Sequence, residues 1–284
     1  MKITIIGAAN IDIIAGSKVK IQPGESNNAE INIKASGVAR NIAAMLAIHK
    51  VDVSLIAAVG NDPFGILLKE SCESIGINTE AWIIKNNTST GVYLAAHENT
   101  GELYAGFSAT AAVESIKTSE LLKHKALINE ADLLLLDLNL SEKIIALALE
   151  QREDGPVMVN AVSVDKVLRV EKFLDRINIL KLNRLEAEKL TGITLDTKER
   201  VKQAGFNIVN RGVQRVFITL GMAGVCAVDS TNAVFIPALP VVVKDLSGAG
   251  DAFSAGLAMK YTKKLKSQAE SGVAFAAEHL SRNV

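Results

Sequence analysis

Asp245-Leu246-Ser247-Gly248-Ala249-Gly250-Asp251-Ala252-Phe253 joins a glycine-rich bend to the start of a helix and sets a carboxylate beside the bend. Gly248 and Gly250 let the backbone turn where side chains would clash. The free N–H groups of the helix start then face an anion, helped by the helix dipole. Asp251 stands at the same turn, ionised and placed to take a proton from an attacking hydroxyl. An anion cradle with a general base is the minimum equipment for phosphoryl transfer from a nucleotide to an alcohol. The competing reading of the same residues is a plain helix cap with a first-turn acid.

Bulk properties narrow the partners. The 284 residues are 49% apolar and 22% charged, with 31 basic and 31 acidic side chains. Zero formal charge gives no global pull toward nucleic acid or an anionic membrane, so neither is expected as a partner. A nucleotide or polar metabolite fits better. Cys72 and Cys226 lack metal spacing and read as buried free thiols, which fits a reducing cytoplasm. The N-terminal residues read as a strand rather than a signal peptide. No apolar run has the length of a membrane span.

Outward from the nonapeptide, strands and helices alternate. Apolar, β-branched runs predict strands over 3–7, 53–59, 132–137, 156–160, 178–182 and 215–219. Helical patterns fall at 38–49, 64–75, 141–150, 184–190 and 196–210. That alternation predicts a parallel sheet covered on both faces, with ligands beyond the carboxyl ends of the strands. Residues 12–36 and 80–107 break the rhythm with short alternating segments and a hairpin turn at Asn99-Thr100-Gly101. They read as a small β-lobe inserted into a single domain over 1–284, a lid that keeps water from a transferring phosphate. Two ordinary surface hairpins would give the same pattern.

Several chemistries drop out. There is no Walker A pattern and no Gly-x-Gly-x-x-Gly after the first strand, and the four histidines lack zinc spacing. Ala252-Phe253-Ser254-Ala255-Gly256 lacks the first glycine and the preceding strand of a nucleophile elbow, so Ser254 reads as a small packing residue. Gly256 and its alanine neighbours would let this helix approach the segment 272–277 closely. Asn10 and Asp12 can present an amide and a carboxylate to vicinal hydroxyls, or form an Asx turn. Gly37 allows close backbone approach, Asn41 lies in the first turns of the next helix, and Arg40 faces either solvent or a polar base. Asn183 and Glu186 share a helix face and could orient hydrated magnesium and phosphates, or form a capping box. Thr219, Gly221 and Gly224 mark a hairpin or a wall for a nucleotide.

These sites, in this order, resemble the ribokinase-like, or PfkB, family of sugar kinases. Residues 245–253 are similar to its C-terminal signature, Asp-Thr-Thr-Gly-Ala-Gly-Asp. Residues 36–43 are similar to its Gly-Gly-x-x-x-Asn signature, and 183–186 to its Asn-x-x-Glu motif. Within the family, residues 7–12, 37–43 and 180–188 look most like the pseudouridine kinases. The resemblance implies an α/β fold, a ribokinase-like three-layer α/β/α sandwich with a central, mostly parallel sheet and a small β-lobe as lid. It implies an ATP- and magnesium-dependent kinase acting on the 5′-hydroxyl of pseudouridine or a related ribosyl compound. Other acceptors in the family include ribose, fructose and adenosine, and a weakly active nucleoside-binding protein would keep the same fold. Asp251 would be the base, and Gly248, Ala249 and Gly250 the anion hole. Asn10, Asp12, Gly37, Arg40 and Asn41 would hold the sugar or nucleoside. Asn183, Glu186, Thr219, Gly221 and Gly224 would serve ATP, with Glu186 reaching magnesium through water. Asp245 and Ser247 would bind a monovalent cation, potassium. A homodimer through the lid is implied as well. Against the family pattern stand Ser36 and Ala39 for glycines, Leu246 for threonine, Asn160 for aspartate and Ala109 for an acid.

Overall fold

The leucine- and β-branched runs are strands in the computed structural model, which describes residues 1–242 and 247–281. Lys2–Ile6, Asp52–Ile56, Leu133–Asp137, Val157–Asn160, Ile179–Asn183 and Arg215–Thr219 fall within a few residues of expectation. They belong to a nine-stranded sheet that starts in its own middle. Lys2–Ile6 lies between Leu133–Asp137 and Asp52–Ile56, and Ile77–Asn78 forms one edge. From Leu133–Asp137 the later strands add outward in parallel, and Val225–Asp229 and Ala233–Ile236 close the other edge antiparallel. The strand order therefore reverses beside Lys2–Ile6, and parallel strands leave a crevice at such a point.

Alternation along each strand feeds two cores. Ile6, Leu134, Leu136, Leu180, Leu182, Val216 and Ile218 face the helices Glu142–Gln151, Arg184–Thr191 and Lys198–Asn210. Ile3, Ile5, Leu133, Leu135, Met158 and Phe217 face Val38–Ile48, Ala249–Met259 and Leu265–Ser281. Burial on both faces is why these strands read as continuous apolar runs rather than alternating ones. The result is the three-layer α/β/α sandwich.

A second sheet stands over the carboxyl ends of the first. Its order is Ala29–Ser36, Asn10–Ser17, Gly91–His97, Leu103–Ala109. The two central strands run parallel and each outer pair antiparallel, and the turn after Gly91–His97 carries Gly101 at φ 86°. Asn10 opens a strand of this sheet instead of lying in a loop. Within 80–107, Ile83–Lys85 pairs instead with Ala58–Gly60. Side chains alternate here too. Asn10, Asp12, Asn32, Lys34, Ser36, Tyr93 and Ser108 look into a cleft toward the main sheet. Ile13, Ile33, Leu94 and Phe107 are register neighbours on the opposite face, one from each strand.

Helix Ala249–Met259 packs on Leu265–Ser281 at close quarters. A Cβ on Gly256 would collide with the Ser271 carbonyl oxygen and lie 2.8 Å from the Gly272 Cα, as the small residues predict. Ser254, expected to pack passively, is fully buried and donates to the Asn160 Oδ1 at 2.8 Å and the Gly250 carbonyl at 3.0 Å. Gly256→Ala is expected to destabilise the fold by about 1–3 kcal/mol, the usual cost of forcing carbon into a closed contact. The reading is a lowered urea midpoint at unchanged slope; wild-type stability would mean that the two helices separate freely.

Candidate active site

Gly248 caps helix Ala249–Met259 in the left-handed region, at φ 75°, where a side chain would be strained. Gly248 has no side chain to cap this helix, and its first-turn amides point out of the helix start, where an anion can meet them. Asp251 lies in that first turn, and Asn41 Nδ2 donates to its Oδ2 at 3.0 Å. Burial pushes the Asp251 carboxyl up to about 6. The Asn41 hydrogen bond and the charge of Lys181 hold it down, Asp137 raises it further, and His279 lowers it slightly. At neutral pH the carboxylate is therefore still mostly ionised, but it titrates well above an ordinary aspartate because it stands among packed side chains instead of in open solvent.

Asn41 reaches Asp251 because helix Val38–Ile48 starts abruptly. Its N-cap, Gly37, has φ 105°, and a Cβ there would lie 2.6 Å from the Ala8 carbonyl oxygen. A cleft of about 990 Å³ opens between this helix, the small sheet and Asp251. It gathers Asn10, Asp12, Gly37, Arg40, Asn41, Ser247, Gly248 and Asp251, residues scattered over 242 positions of sequence. Asp12 has its carboxyl raised by burial, opposed by a Ser36 hydrogen bond and by Lys34. Ser36, a departure from the expected glycine, thereby supports a cleft carboxylate. Arg40 reaches Ser71 Oγ at 3.2 Å through Nη2, and its charge and a hydrogen bond also act on the buried Cys72 thiol.

The second group of expected residues lies elsewhere. Asn183, Glu186, Thr219, Gly221 and Gly224 do not line this cleft. Asn183 and Thr219 are register partners at the carboxyl ends of adjacent strands. Gly221 and Gly224 sit in the turn that follows, closed by the Leu220 N–H donating to Gly224 O at 2.8 Å. Asn183 and Glu186 form the capping box: Glu186 N–H donates to Asn183 Oδ1 at 2.9 Å, and Asn183 N–H to Glu186 Oε2 at 2.7 Å. Among the described residues no three acidic, histidine or cysteine side chains form a metal cluster. A magnesium ion here would be held chiefly by phosphates and water, and Glu186, fixed by its cap, is a candidate carboxylate to reach it through water. Asp245, like Leu246, lies outside the described residues. Ser247 has its carbonyl 2.8 Å from His279 Nε2, a contact that a cation there would have to share.

Four residues were missed. Lys181 is buried, on the strand leading to Asn183, and its Nζ lies 3.1 Å from where a Gly250 Cβ would stand. Lys166 donates to Asn139 Oδ1 at 2.7 Å at the cleft wall. His279 lines the cleft from the last helix, and Asp137 is buried beside it all. Lys181 adjoins a quoted motif, but only its strand parity hints at its direction; the others have no local signature.

Comparison with known proteins fits this geometry. The pfkB family carbohydrate kinase pattern matches residues 1–283. The chain belongs to that family and is a carbohydrate kinase. It is 34% identical over 257 residues to the pseudouridine kinase of Escherichia coli K12, covering 90% of this chain and 82% of that one. It is 25% identical over 284 residues to the guanosine-inosine kinase of Exiguobacterium acetylicum, covering 98% and 93%. The solved ribokinase of Thermotoga maritima superimposes with a TM-score of 0.86 at 25% identity, covering 99% and 93%. No described helix is long and apolar enough to cross a membrane.

Asn41→Ala is expected to move the Asp251 titration above about 6, since the amide now favours the charged form. Carboxyl carbon shifts followed against pH read this directly. An unmoved or lowered titration would remove Asn41 from the list of groups that tune Asp251.

Proposed function

We propose that this kinase transfers the γ-phosphoryl group of ATP to the 5′-hydroxyl of pseudouridine or a related ribosyl compound. The observation that carries the reading is Asp251, poised at about 6 in the first turn of a helix that starts at Gly248, and held by Asn41 from the wall of the polar cleft. Preference for pseudouridine rests on the 34% identical relative.

Asp251 accepts the hydroxyl proton as the acceptor oxygen bonds to phosphorus and the bond from phosphorus to the ADP oxygen breaks. The proton ends on Asp251 and the electron pair leaves with ADP. The amides of Gly248, Ala249 and Gly250 take the charge on the phosphoryl oxygens, with Lys181 adding a cation close to Gly250. Bound magnesium supplies further charge neutralisation on the ATP phosphates. Asn10, Asp12, Gly37, Arg40 and Asn41 hold the ribosyl compound. Thr219, Gly221, Gly224, Asn183 and Glu186 flank the nucleotide. The small sheet excludes water above the cleft. Small molecules are the ligands of this chain, and its buried free cysteines, Cys72 and Cys226, suit the cytoplasm.

ADP release with ATP, magnesium and a panel of pseudouridine, uridine, inosine, adenosine, ribose and fructose tests the reading. Pseudouridine should give the highest kcat/KM, and preference for a free sugar or a purine nucleoside would reassign the substrate. Asp251→Asn should lower kcat about 10²–10⁴-fold, the share a positioned base contributes. In the wild type, kcat/KM should fall as pH drops through about 6, because protonated Asp251 is no longer basic enough to take the hydroxyl proton. Wild-type turnover in Asp251→Asn would end the mechanism.

A second copy of the chain is the partner of the small sheet. Ile31, Ile33, Leu94 and Phe107 are 63%, 49%, 38% and 65% exposed, an apolar face too continuous to be left in water. Self-complementary pairing across a two-fold axis would cover it. Sedimentation should find a dimer at micromolar concentration and a monomer for Phe107→Lys; a monomeric wild type would refute the pairing.

A further inference from the structure

Asp137 is the last residue of strand Leu133–Asp137, at the point where the sheet order reverses, and it is fully buried. Its Oδ2 accepts the Ala8 N–H at 2.8 Å and the Ala39 N–H at 3.0 Å, and its Oδ1 accepts the Asn139 N–H at 2.8 Å. The Asn139 side chain contributes a further hydrogen bond. Each donor is a cleft residue or stands within two positions of one. Ala8 precedes Asn10 by two positions, Ala39 precedes Asn41 by two, and Asn139 itself lines the cleft beside Lys166. One carboxylate thus ties together three segments, two of them 129 and 98 residues away in sequence. Gly7 leaves the room for it, since a Cβ there would run into the Asp137 carboxyl group.

A buried carboxylate is an expensive way to fill a crevice, and a hydrocarbon side chain would do it more cheaply. It can, however, accept several backbone donors at once on two oxygens, which no neutral side chain does. Burial raises the Asp137 carboxyl, and the three backbone donors on its oxygens work against that by favouring the ionised form.

We propose that Asp137 is a positioning residue of this kinase: it sets the spacing of Asn10, Asn41 and Asn139 around the acceptor and places a fixed negative charge behind Asp251. The second half rests on the proposed role of Asp251 as base. Among the described residues, the ionisable groups that act on Asp251 are Lys181 from strand Ile179–Asn183, Asp137 from strand Leu133–Asp137 and His279 from helix Leu265–Ser281. Asp137 alone of these favours the protonated base, and burial works in the same direction.

The test compares wild type, Asp137→Asn and Gly7→Ala, using whichever acceptor of the panel releases ADP best. Asp137→Asn turns one acceptor oxygen into a donor facing backbone donors and removes the charge. KM for the acceptor should rise roughly 10- to 100-fold, the cost of misplacing reacting groups by about 1 Å. KM for ATP should stay within about twofold, since the nucleotide residues sit on other strands. The acid limb of kcat/KM should move to lower pH. Gly7→Ala pushes the carboxylate aside with its charge kept, so acceptor KM should rise while the acid limb stays in place. Folding of each variant is checked by circular dichroism and thermal melts. Wild-type acceptor KM in a folded variant, or an acid limb of Asp137→Asn at the wild-type pH, overturns the proposal. Loss of fold in both variants also overturns it, leaving Asp137 a folding residue. No ADP from the wild type with any acceptor sinks both this inference and the proposed reaction, whereas a failed variant beside an active wild type sinks this one alone.

Discussion

The reversal of strand order beside Lys2–Ile6 is the constraint on which the rest depends. Two parallel strands whose crossovers leave in opposite directions cannot both be covered at their carboxyl ends. The chain fills that gap with helix starts and short polar segments instead of hydrocarbon. Helix Val38–Ile48 begins there, the small sheet rises from there, and helix Ala249–Met259 points its first turn at the same place. A chain from one end of the sequence thereby meets one from the other, and the contact of Asn41 with Asp251 spans 210 residues.

Such long-range contacts divide what a sequence can disclose from what it hides. The strands of the main sheet were legible because burial on both faces forces unbroken apolar runs such as Leu133-Leu134-Leu135-Leu136. Gly37, Gly248 and Asp251 were legible because sharp turns and helix starts demand particular residue types locally. Asp137 was not, because an acid at the end of an apolar run looks like the edge of a loop until the neighbouring strand is in place. Lys181 and Lys166 were hidden for the same reason: strand parity gives a side chain's face, while only the assembled layers say what that face meets.

Asn183 and Glu186 show a third case. Their spacing suits either a ligand pair or a capping box, and the two share one geometry. The cap is formed, and it fixes the carboxylate at the end of a strand without further support. Departures from the family pattern are absorbed in a similar way. Ser36 bonds to Asp12, Asn160 takes the Ser254 hydroxyl, and Ala39 gives its N–H to Asp137. None of these changes touches Asp251 or the amides of its helix.

The raised titration of Asp251 has a consequence for folding as well as for chemistry. Its carboxyl goes from an ordinary value of 3.8 in the open chain to about 6 in the folded one. Between those values the folded chain holds a proton that the unfolded chain has released, so folding takes up acid. This group's contribution to stability is greatest below the open-chain value and is lost as pH rises through about 6. At neutral pH the molecule therefore carries a strained charge in its fold, and it sheds that strain in the acid range where the same carboxyl can no longer accept a proton.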